Sequence, residues 1–221
     1  MKRILVIAPH ADDEILGCGG TMIKHIEQGD AVYVCIVTTG WPPLFKPENS
    51  RRDRDDSERC HKMLGVKQTF YLDFPAAALE EVKRYELNDK LLQVIKEVQP
   101  HDVYIPHIGD MQKDHKLVNE ACMVALRPKY FPQISKILCY ETMSETAWDV
   151  PNVQNAFIPN VFVDITGYLG DKLRALSCYS SQIKEFPDAR SLDAIEALAK
   201  YRGALMHCHA AEAFSLVREL L

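Results

Sequence analysis

The sequence is short of several features that would place it in a specialised class of protein. Its seven cysteines are scattered and form no Cys-x-x-Cys pair, which predicts reduced thiols in a cytoplasmic protein. No apolar run approaches the roughly 20 residues of a membrane span, and Met1-Lys2-Arg3 leads straight into a short apolar segment, unlike a signal peptide. Basic residues number only 26 against 31 acidic ones, without a long basic block, which argues against nucleic acid or an anionic membrane as the main partner.

The sequence also lacks internal repeats, low-complexity segments and a Gly-x-Gly-x-x-Gly motif after its first apolar run. A dinucleotide-binding site is therefore not expected. Gly17, Gly19 and Gly20 instead lie one turn inside a predicted helix, where small residues allow close packing. A chain of 221 residues with 47% hydrophobic content can bury a good-sized core, and we predict one domain over residues 1–221.

Segments with strand and helix patterns alternate up to about residue 140. This alternation predicts an α/β fold, a Rossmann-like three-layer sandwich with a mostly parallel sheet and helices on both faces. The predicted strands are residues 4–8, 31–39, 68–72, 102–106, 134–140 and 160–165. The predicted helices are one that starts near residue 12 and those at residues 51–65, 79–98, 116–126, 192–206 and 211–220.

A polar cluster stands at the end of the first predicted strand. It consists of His10, Asp12, Asp13 and Glu14, directly before the first predicted helix. In open α/β sheets, ligand sites lie at this carboxyl end of the strands. A single Asp at a helix start is commonly a cap. Capping does not call for three carboxylates and an imidazole within five positions, whereas a divalent metal would relieve the repulsion between the carboxylates.

A second polar segment, residues 106–115, follows the fourth predicted strand and would open on the same edge of a parallel sheet. Catalytic zinc usually takes three protein ligands from histidine and carboxylate and keeps one position for water. His10, Asp13 and His115 would supply such a set. Taken alone, His115 is as well explained as a solvated surface residue, but its occurrence together with the first cluster favours a metal site.

The two polar segments resemble the motifs of a known family. Residues 9–14, Pro-His-Ala-Asp-Asp-Glu, resemble the His-Pro-Asp-Asp-Glu signature of the LmbE-like, or PIG-L-type, zinc-dependent N-acetylglucosamine deacetylases, with Ala11 in the place of the usual proline. Residues 107–115 resemble the family's His-x-x-Asp followed by Asp-His. Further similar stretches lie at residues 54–66, 140–148, 157–164, 172–182 and 202–214, so that the resemblance covers nearly the whole chain.

The resemblance implies that His10, Asp13 and His115 hold zinc, although two imidazoles and one carboxylate accept other divalent metals as well. It also implies that Asp12 is the general base toward the water that attacks the acetyl group. Zinc lowers the pKa of a bound water to about 7, and a carboxylate beside it can accept the proton. Neighbouring residues at a helix start point about 100° apart, so Asp13 can bind the metal while Asp12 faces the water.

The resemblance assigns roles to four further residues. Gln112 and Asp114 complete the implied catalytic set, and Arg54 and Asp110 are the implied substrate contacts. Both Asp114 and Asp110 are also candidates to orient a ligand imidazole, which is the usual task of a carboxylate near a metal site.

Position 112 departs from the family pattern, because many members have a histidine there that polarises the substrate carbonyl. The amide of Gln112 can donate a hydrogen bond to an oxyanion, but it carries neither a proton to transfer nor a positive charge. Either Gln112 fills this role weakly or the metal and another donor dominate. His107, His207 and His209 are the other histidines considered for it.

These observations predict a zinc-dependent hydrolase that removes an N-acetyl or related acyl group from an N-acetylated amino sugar or its conjugate. Two alternatives stay open, a non-catalytic metal- and sugar-binding protein on the same fold and an amidase of thiol-sugar conjugates. The expected partner is the small amino-sugar substrate, and the resemblance also implies a homo-oligomer, a trimer or a hexamer. Trp41, Phe45 and Trp148 are candidates to stack on a sugar face, although core packing explains them equally well.

Overall fold

All residues from 1 to 221 are described by the computed structural model, which contains seven strands and six α-helices. The strands are β1 (Arg3–Ala8), β2 (Ala31–Thr39), β3 (Gln68–Pro75), β4 (Asp102–Pro106), β5 (Lys136–Tyr140), β6 (Val161–Asp164) and β7 (Ala211–Glu219). The helices are α1 (Asp13–Glu27), α2 (Pro47–Leu64), α3 (Arg84–Val98), α4 (Lys113–Ala125), α5 (Leu169–Leu176) and α6 (Leu192–Leu205). None of these helices is both long enough and apolar enough to cross a lipid bilayer.

The strands form one sheet in the order β3-β2-β1-β4-β5-β7-β6. Strands β1 to β5 pair in parallel, whereas β7 runs antiparallel to both β5 and β6. The chain moves outward from β1 to β2 and β3 and then returns to add β4 on the other side of β1. The loops after β1 and β4 therefore leave the sheet at a topological switch point, where open α/β sheets form ligand crevices.

Strand β1 is buried on both faces, as a continuous apolar run predicts. Leu5 and Ile7 belong to a core cluster shared with α3 and α4, whereas Ile4, Val6 and Ala8 belong to a second cluster shared with α1 and α5. All five side chains are inaccessible to solvent. Helices thus cover both faces of a mostly parallel sheet, which confirms the predicted fold class.

The glycines of α1 pack directly against the sheet. A Cβ atom at Gly17 would lie 2.3 Å from Cδ2 of Tyr140, and a Cβ atom at Gly20 would lie 2.8 Å from Cγ2 of Ile165. The Tyr140 hydroxyl also donates a hydrogen bond to the carbonyl oxygen of Ile7 at 2.9 Å. These contacts confirm that the small residues allow close packing, and they seat α1 firmly at the end of β1.

Two helix predictions are corrected by the structure, one entirely and one in part. Residues 211–220, predicted as a helix, form β7, which pairs with β5 on one side and β6 on the other. Alanine, glutamate and leucine favour helices locally, but pairing with two neighbouring strands overrides this preference. The predicted helix 79–98 is interrupted, because Leu79–Glu81 form a 3₁₀ turn, Val82 is extended and α3 begins only at Arg84.

Candidate metal centre

The loops after β1 and β4 bring together His10, Asp13 and His115. One potential ligand atom from each residue lies within 4.8 Å of the others. Nδ1 of His10 is 3.1 Å and Nε2 of His115 is 3.2 Å from the same Asp13 oxygen, Oδ2. Asp13 and His115 are fully buried. The topological switch point thus assembles two imidazoles and a carboxylate from two segments that are far apart in sequence.

The outer nitrogen of each imidazole is bound by a further carboxylate. Nε2 of His10 is 3.0 Å from Oδ2 of Asp114, which also accepts the backbone N–H of Ala77 at 2.7 Å. Nδ1 of His115 is 2.8 Å from Oδ2 of Asp110. In metal sites, a carboxylate that accepts one ring N–H fixes the tautomer and directs the other ring nitrogen to the metal. Both rings therefore present their inner nitrogen toward Asp13.

Two buried polar atoms of this cluster have no hydrogen-bond partner, Oδ1 of Asp13 and Nε2 of His115. Nε2 of His115 is near Asp13 but is not aligned for a hydrogen bond. Buried polar atoms are normally paired, and an ion would pair both of these. Two histidines and one carboxylate also form a ligand set of catalytic zinc, which leaves a position open. The residues present therefore fit a divalent metal ion.

The charges of the cluster oppose the effect of burial. Burial lowers the pKa of His10, but hydrogen bonds to Asp114 and Asp13 outweigh it and raise this pKa to about 9. Burial likewise lowers the pKa of His115, which the Asp13 charge and the hydrogen bond to Asp110 raise to about 10. Burial raises the pKa of Asp13, yet the two imidazoles hold it well below its usual range. The centre therefore favours positive charge between its carboxylates, and a metal ion would take the place of protons.

Asp12 has an unusual backbone conformation between the two ligands of its loop. Its φ of 121° and ψ of −28° lie on the side of conformational space that residues other than glycine rarely adopt. It precedes α1, but its side chain does not cap that helix. Instead, its Oδ2 accepts a hydrogen bond from Nη1 of Arg190 at 2.7 Å. Burial raises the pKa of Asp12 to about 8 against the Arg190 charge, with Asp13 and Glu14 adding to the rise.

Glu14 holds the backbone at this point. One carboxylate oxygen, Oε2, accepts the N–H of Asp12 at 3.1 Å, while Oε1 accepts from Nε2 of His61 at 3.0 Å and from the hydroxyl of Tyr179. The Glu14 side chain is fully buried. Because three donors satisfy its carboxylate, Glu14 can be buried without a cation and can stabilise the strained conformation of Asp12.

A cavity of about 200 Å³ opens beside the metal centre. It is lined by His10, Asp12, Gln112, Arg54 and Arg190, among others. Gln112 stands directly before α4, with its amide nitrogen 3.5 Å from Nε2 of His10. Arg54 pairs with the carboxylate of Asp73, and its guanidinium carbon lies 4.1 Å from the centre of the Tyr71 ring.

Several candidate residues lie away from this cavity. Asp110 is fully buried, and its second oxygen accepts the hydroxyl of Thr146 at 2.7 Å, so the substrate contact predicted for it does not fit. Its contact with His115 matches the other role predicted for it, that of orienting a ligand imidazole. Trp41 and Trp148 are largely exposed and line neighbouring depressions, so neither is a core residue. Of the three aromatic candidates, Phe45 alone lines the cavity, and none of the histidines considered as a substitute for Gln112 does.

Arg190 was not among the residues that sequence patterns indicated. It lies two residues before α6, in the segment that follows α5, and it belongs to no recognisable sequence motif. Its contact with Asp12 spans 178 positions of the chain. Only the tertiary structure places this cation on the carboxylate beside the metal centre.

The fold and the sequence are similar to those of known proteins over most of their length. The structure superposes on the conserved protein TT1542 from Thermus thermophilus with a TM-score of 0.79 at 24% identity, covering 100% of this chain and 97% of that chain. A protein named uncharacterized deacetylase YaiS, from Escherichia coli, is 32% identical over 81% of this chain and 91% of its own length. The diacetylchitobiose deacetylase of Thermococcus kodakarensis is 27% identical over 84% of this chain and 72% of its own length.

One relative is named for a different reaction. The 4-oxalmesaconate hydratase of Pseudomonas putida is 26% identical over 82% of this chain and 74% of its own length. The model of the PIG-L family, described as GlcNAc-PI de-N-acetylase, matches residues 5–126, which include both segments of the metal centre. With this match and the identity to the Escherichia coli deacetylase, the chain belongs to the PIG-L family.

Proposed function

We propose that this protein is a zinc-dependent deacetylase that hydrolyses the acetamido group of an N-acetylated amino sugar or its conjugate. The observation that carries the proposal is the cluster of His10, Asp13 and His115 next to Asp12, in which His10 and the carboxylate-bearing Asp12 line one cavity. Membership of the PIG-L family supports the same substrate class.

Different residues of the site have different roles in amide hydrolysis. His10, Asp13 and His115 would hold the metal, which when bound would polarise the amide carbonyl and acidify a water molecule. Asp12 accepts a proton from the attacking water and later gives a proton to the nitrogen of the leaving amine. The C–N bond is replaced by a C–O bond, and the products are acetate and the free amino sugar.

Residues around this centre orient the reacting groups. Asp114 and Asp110 keep the ligand imidazoles in one tautomer and one direction. The amide of Gln112 is placed beside His10, where it can donate to the developing oxyanion without supplying charge. Arg54 lines the cavity and is the proposed contact to the sugar.

Amine release from N-acetylglucosamine and N,N′-diacetylchitobiose tests the proposal, with acetate quantified in parallel. Zinc-loaded wild type should release equal amounts of both products, and a chelator should abolish release. Asp12→Asn should lose activity but keep its zinc, because Asp12 is not a ligand. His115→Ala should lose the zinc, whereas His25→Ala, a change in a histidine remote from the centre, should keep it.

Two results would overturn parts of the proposal. Full activity of Asp12→Asn would refute the assignment of the general base. A zinc-loaded wild type that cleaves no acetamido sugar would favour a non-catalytic binding protein or an amidase of another acyl substrate, such as a thiol-sugar conjugate.

The hydratase relative supports a second candidate, water addition to an unsaturated carboxylic acid. Such a substrate carries several carboxylates and calls for free cations in the cavity. The two arginines that line the cavity are already paired, Arg54 with Asp73 and Arg190 with Asp12, and no lysine lines it. The charge balance therefore favours a neutral sugar. Loss of the ultraviolet absorbance of 4-oxalmesaconate, without acetate release, would reverse this preference.

A further inference from the structure

The carboxylate of Asp12 is not held by its own loop. Its backbone N–H donates to Glu14, but its side chain makes no capping hydrogen bond to the start of α1. Its only side-chain hydrogen bond comes from Nη1 of Arg190, at 2.7 Å from Oδ2. The direction of this carboxylate is therefore set by a residue from the segment before α6.

Arg190 is itself fixed from three directions. Its Nε donates to Oγ of Ser144 at 3.1 Å, and its Nη1 is 3.3 Å from Oε1 of Gln182. The next residue, Ser191, caps α6 by accepting the N–H of Ala194 at 3.1 Å, which anchors the backbone. The Arg190 side chain is 20% exposed and lines the cavity of the metal centre. A guanidinium held in this way can act as a rigid support.

The guanidinium contacts one oxygen of Asp12 and leaves the other free. Arginine commonly binds carboxylates through two parallel hydrogen bonds, as Arg202 does with Glu141 at 2.8 and 2.7 Å. Oδ1 of Asp12 has no donor from the protein, although Oδ2 has one. A base needs one unoccupied oxygen for the proton that it accepts.

We propose that Arg190 is a positioning residue for the deacetylation. It fixes Oδ2 of Asp12 so that Oδ1 stays available to the attacking water. This inference rests on the proposed function, in which Asp12 is the general base. The competing explanation is an ion pair that only stabilises the fold. Arg202 and Glu141 provide the matched comparison, since their side chains are similarly shielded, at 15% and 14% exposure, and line no part of the cavity.

Kinetics of zinc-loaded Arg190→Ala, Arg190→Lys and Arg202→Ala on N,N′-diacetylchitobiose separate these explanations. A misplaced catalytic group lowers turnover by about 100-fold, so Arg190→Ala should lose about that factor in kcat with its KM and zinc content near those of the wild type. Added guanidinium should restore part of the kcat of Arg190→Ala. The kcat of Arg190→Lys, which keeps a cationic donor, should lie between those of Arg190→Ala and the wild type. Arg202→Ala should lower Tm while it keeps kcat and gives no response to guanidinium.

Crystal structures of the zinc-loaded proteins give a measurement that needs no substrate. In Arg190→Ala the Asp12 carboxylate should lose its single orientation and regain it when guanidinium is soaked in. An unchanged Asp12 carboxylate in Arg190→Ala, or a kcat equal to that of the wild type, would overturn the inference. A lowered Tm of Arg190→Ala whose kcat guanidinium does not restore would also overturn the inference, because that result indicates an ion pair that only stabilises the fold.

Asp12→Asn and the double variant Asp12→Asn/Arg190→Ala distinguish this inference from the proposed function. If Arg190 acts through Asp12, the double variant should be no slower than Asp12→Asn alone. An inactive Asp12→Asn with an unimpaired Arg190→Ala would refute the inference and leave the proposed function standing. A fully active Asp12→Asn would refute the base assignment itself.

Discussion

At the scale of single residues, the metal centre depends on how its imidazoles are oriented. Each ring donates its outer N–H to a buried carboxylate, Asp114 for His10 and Asp110 for His115. The inner nitrogens are thereby directed at Asp13 before any ion arrives. Such a centre loses little conformational entropy when it binds metal, since the side chains are already fixed.

Asp110→Asn tests this orientation. The amide keeps the size of the side chain but removes the charge that supports His115, so zinc affinity should fall by about 10- to 100-fold. Competition with a chelator of known affinity measures the change. Asp102→Asn is the matched control, because Asp102 is a buried aspartate at the opposite end of β4 and should leave the affinity unaltered. Equal zinc affinity of Asp110→Asn and wild type would contradict the role of Asp110.

Glu14→Gln tests the support of the strained backbone at Asp12. The carboxylate accepts three hydrogen bonds, and an amide presents its own N–H groups to at least one of these donors. A buried donor left without an acceptor should lower the free energy of unfolding by about 2 kcal/mol, measured by urea denaturation. Tyr179→Phe removes one donor and leaves the acceptor of the Asp12 N–H in place, so it should destabilise less. A Glu14→Gln protein as stable as the wild type would rule out this support.

The residues of this site differ in whether the sequence could predict that they lie close together in the fold. His10 and Asp13 come just after the apolar strand β1, and His115 lies in the first turn of the helix after the apolar strand β4. A parallel sheet brings the ends of such strands to one edge. Arg190 follows no strand and starts no motif, and its contact with Asp12 depends on how the segment after α5 packs. Local patterns carry the first kind of information but not the second.

At the scale of elements, α1 must approach β5 closely to present Asp13. Gly17→Ala tests this approach, because the added Cβ would lie 2.3 Å from a ring carbon of Tyr140. Alanine normally stabilises a helix relative to glycine, but overpacking here should lower stability by about 1–3 kcal/mol. Thermal unfolding compares it with Gly170→Ala in α5, where the nearest atom is 3.7 Å away and stability should stay level or rise. A loss of stability in both variants, or a gain in both, would contradict the close packing at Gly17.

Strand β7 shows why element type could not be predicted throughout. Its residues Ala211 to Glu219 include good helix formers, and their local preferences predict a helix. In the structure, Phe214 pairs with Tyr140 of β5 and with Val161 of β6. A strand that completes hydrogen bonding on both sides obtains its conformation from its neighbours, which lie far away in sequence.

At the scale of the whole molecule, a buried ion pair connects the last strand to the first helix. Nζ of Lys172 in α5 lies 2.6 Å from Oε1 of Glu212 in β7 and donates to the carbonyl of Leu16 at 2.8 Å. Glu212 also accepts the N–H groups of Gly20 and Thr21 at 2.9 and 2.7 Å. Helices α1 and α5 and strand β7 are thus joined by one buried group of hydrogen bonds around Glu212.

Lys172→Met tests how much this ion pair contributes to the free energy of unfolding. The change leaves the Glu212 carboxylate buried without its cation, which should lower the free energy of unfolding by about 3–5 kcal/mol. Lys136→Met removes a similar but more exposed pair, with side chains 28% and 29% exposed, and should cost less than about 1 kcal/mol. Urea denaturation measures both, and equal effects would refute the special position of Lys172.

The place of β7 in the sheet also orders events during biosynthesis. Strand β6 is translated before β7 but pairs with no strand except β7. A nascent chain that ends before Ala211 has β6 without a neighbour, and the N–H groups of Gly20 and Thr21 still lack the glutamate that receives them. The helix that carries Asp13 is among the first parts to leave the ribosome, yet the acceptor of these two N–H groups, Glu212, is supplied only by the last strand to be translated.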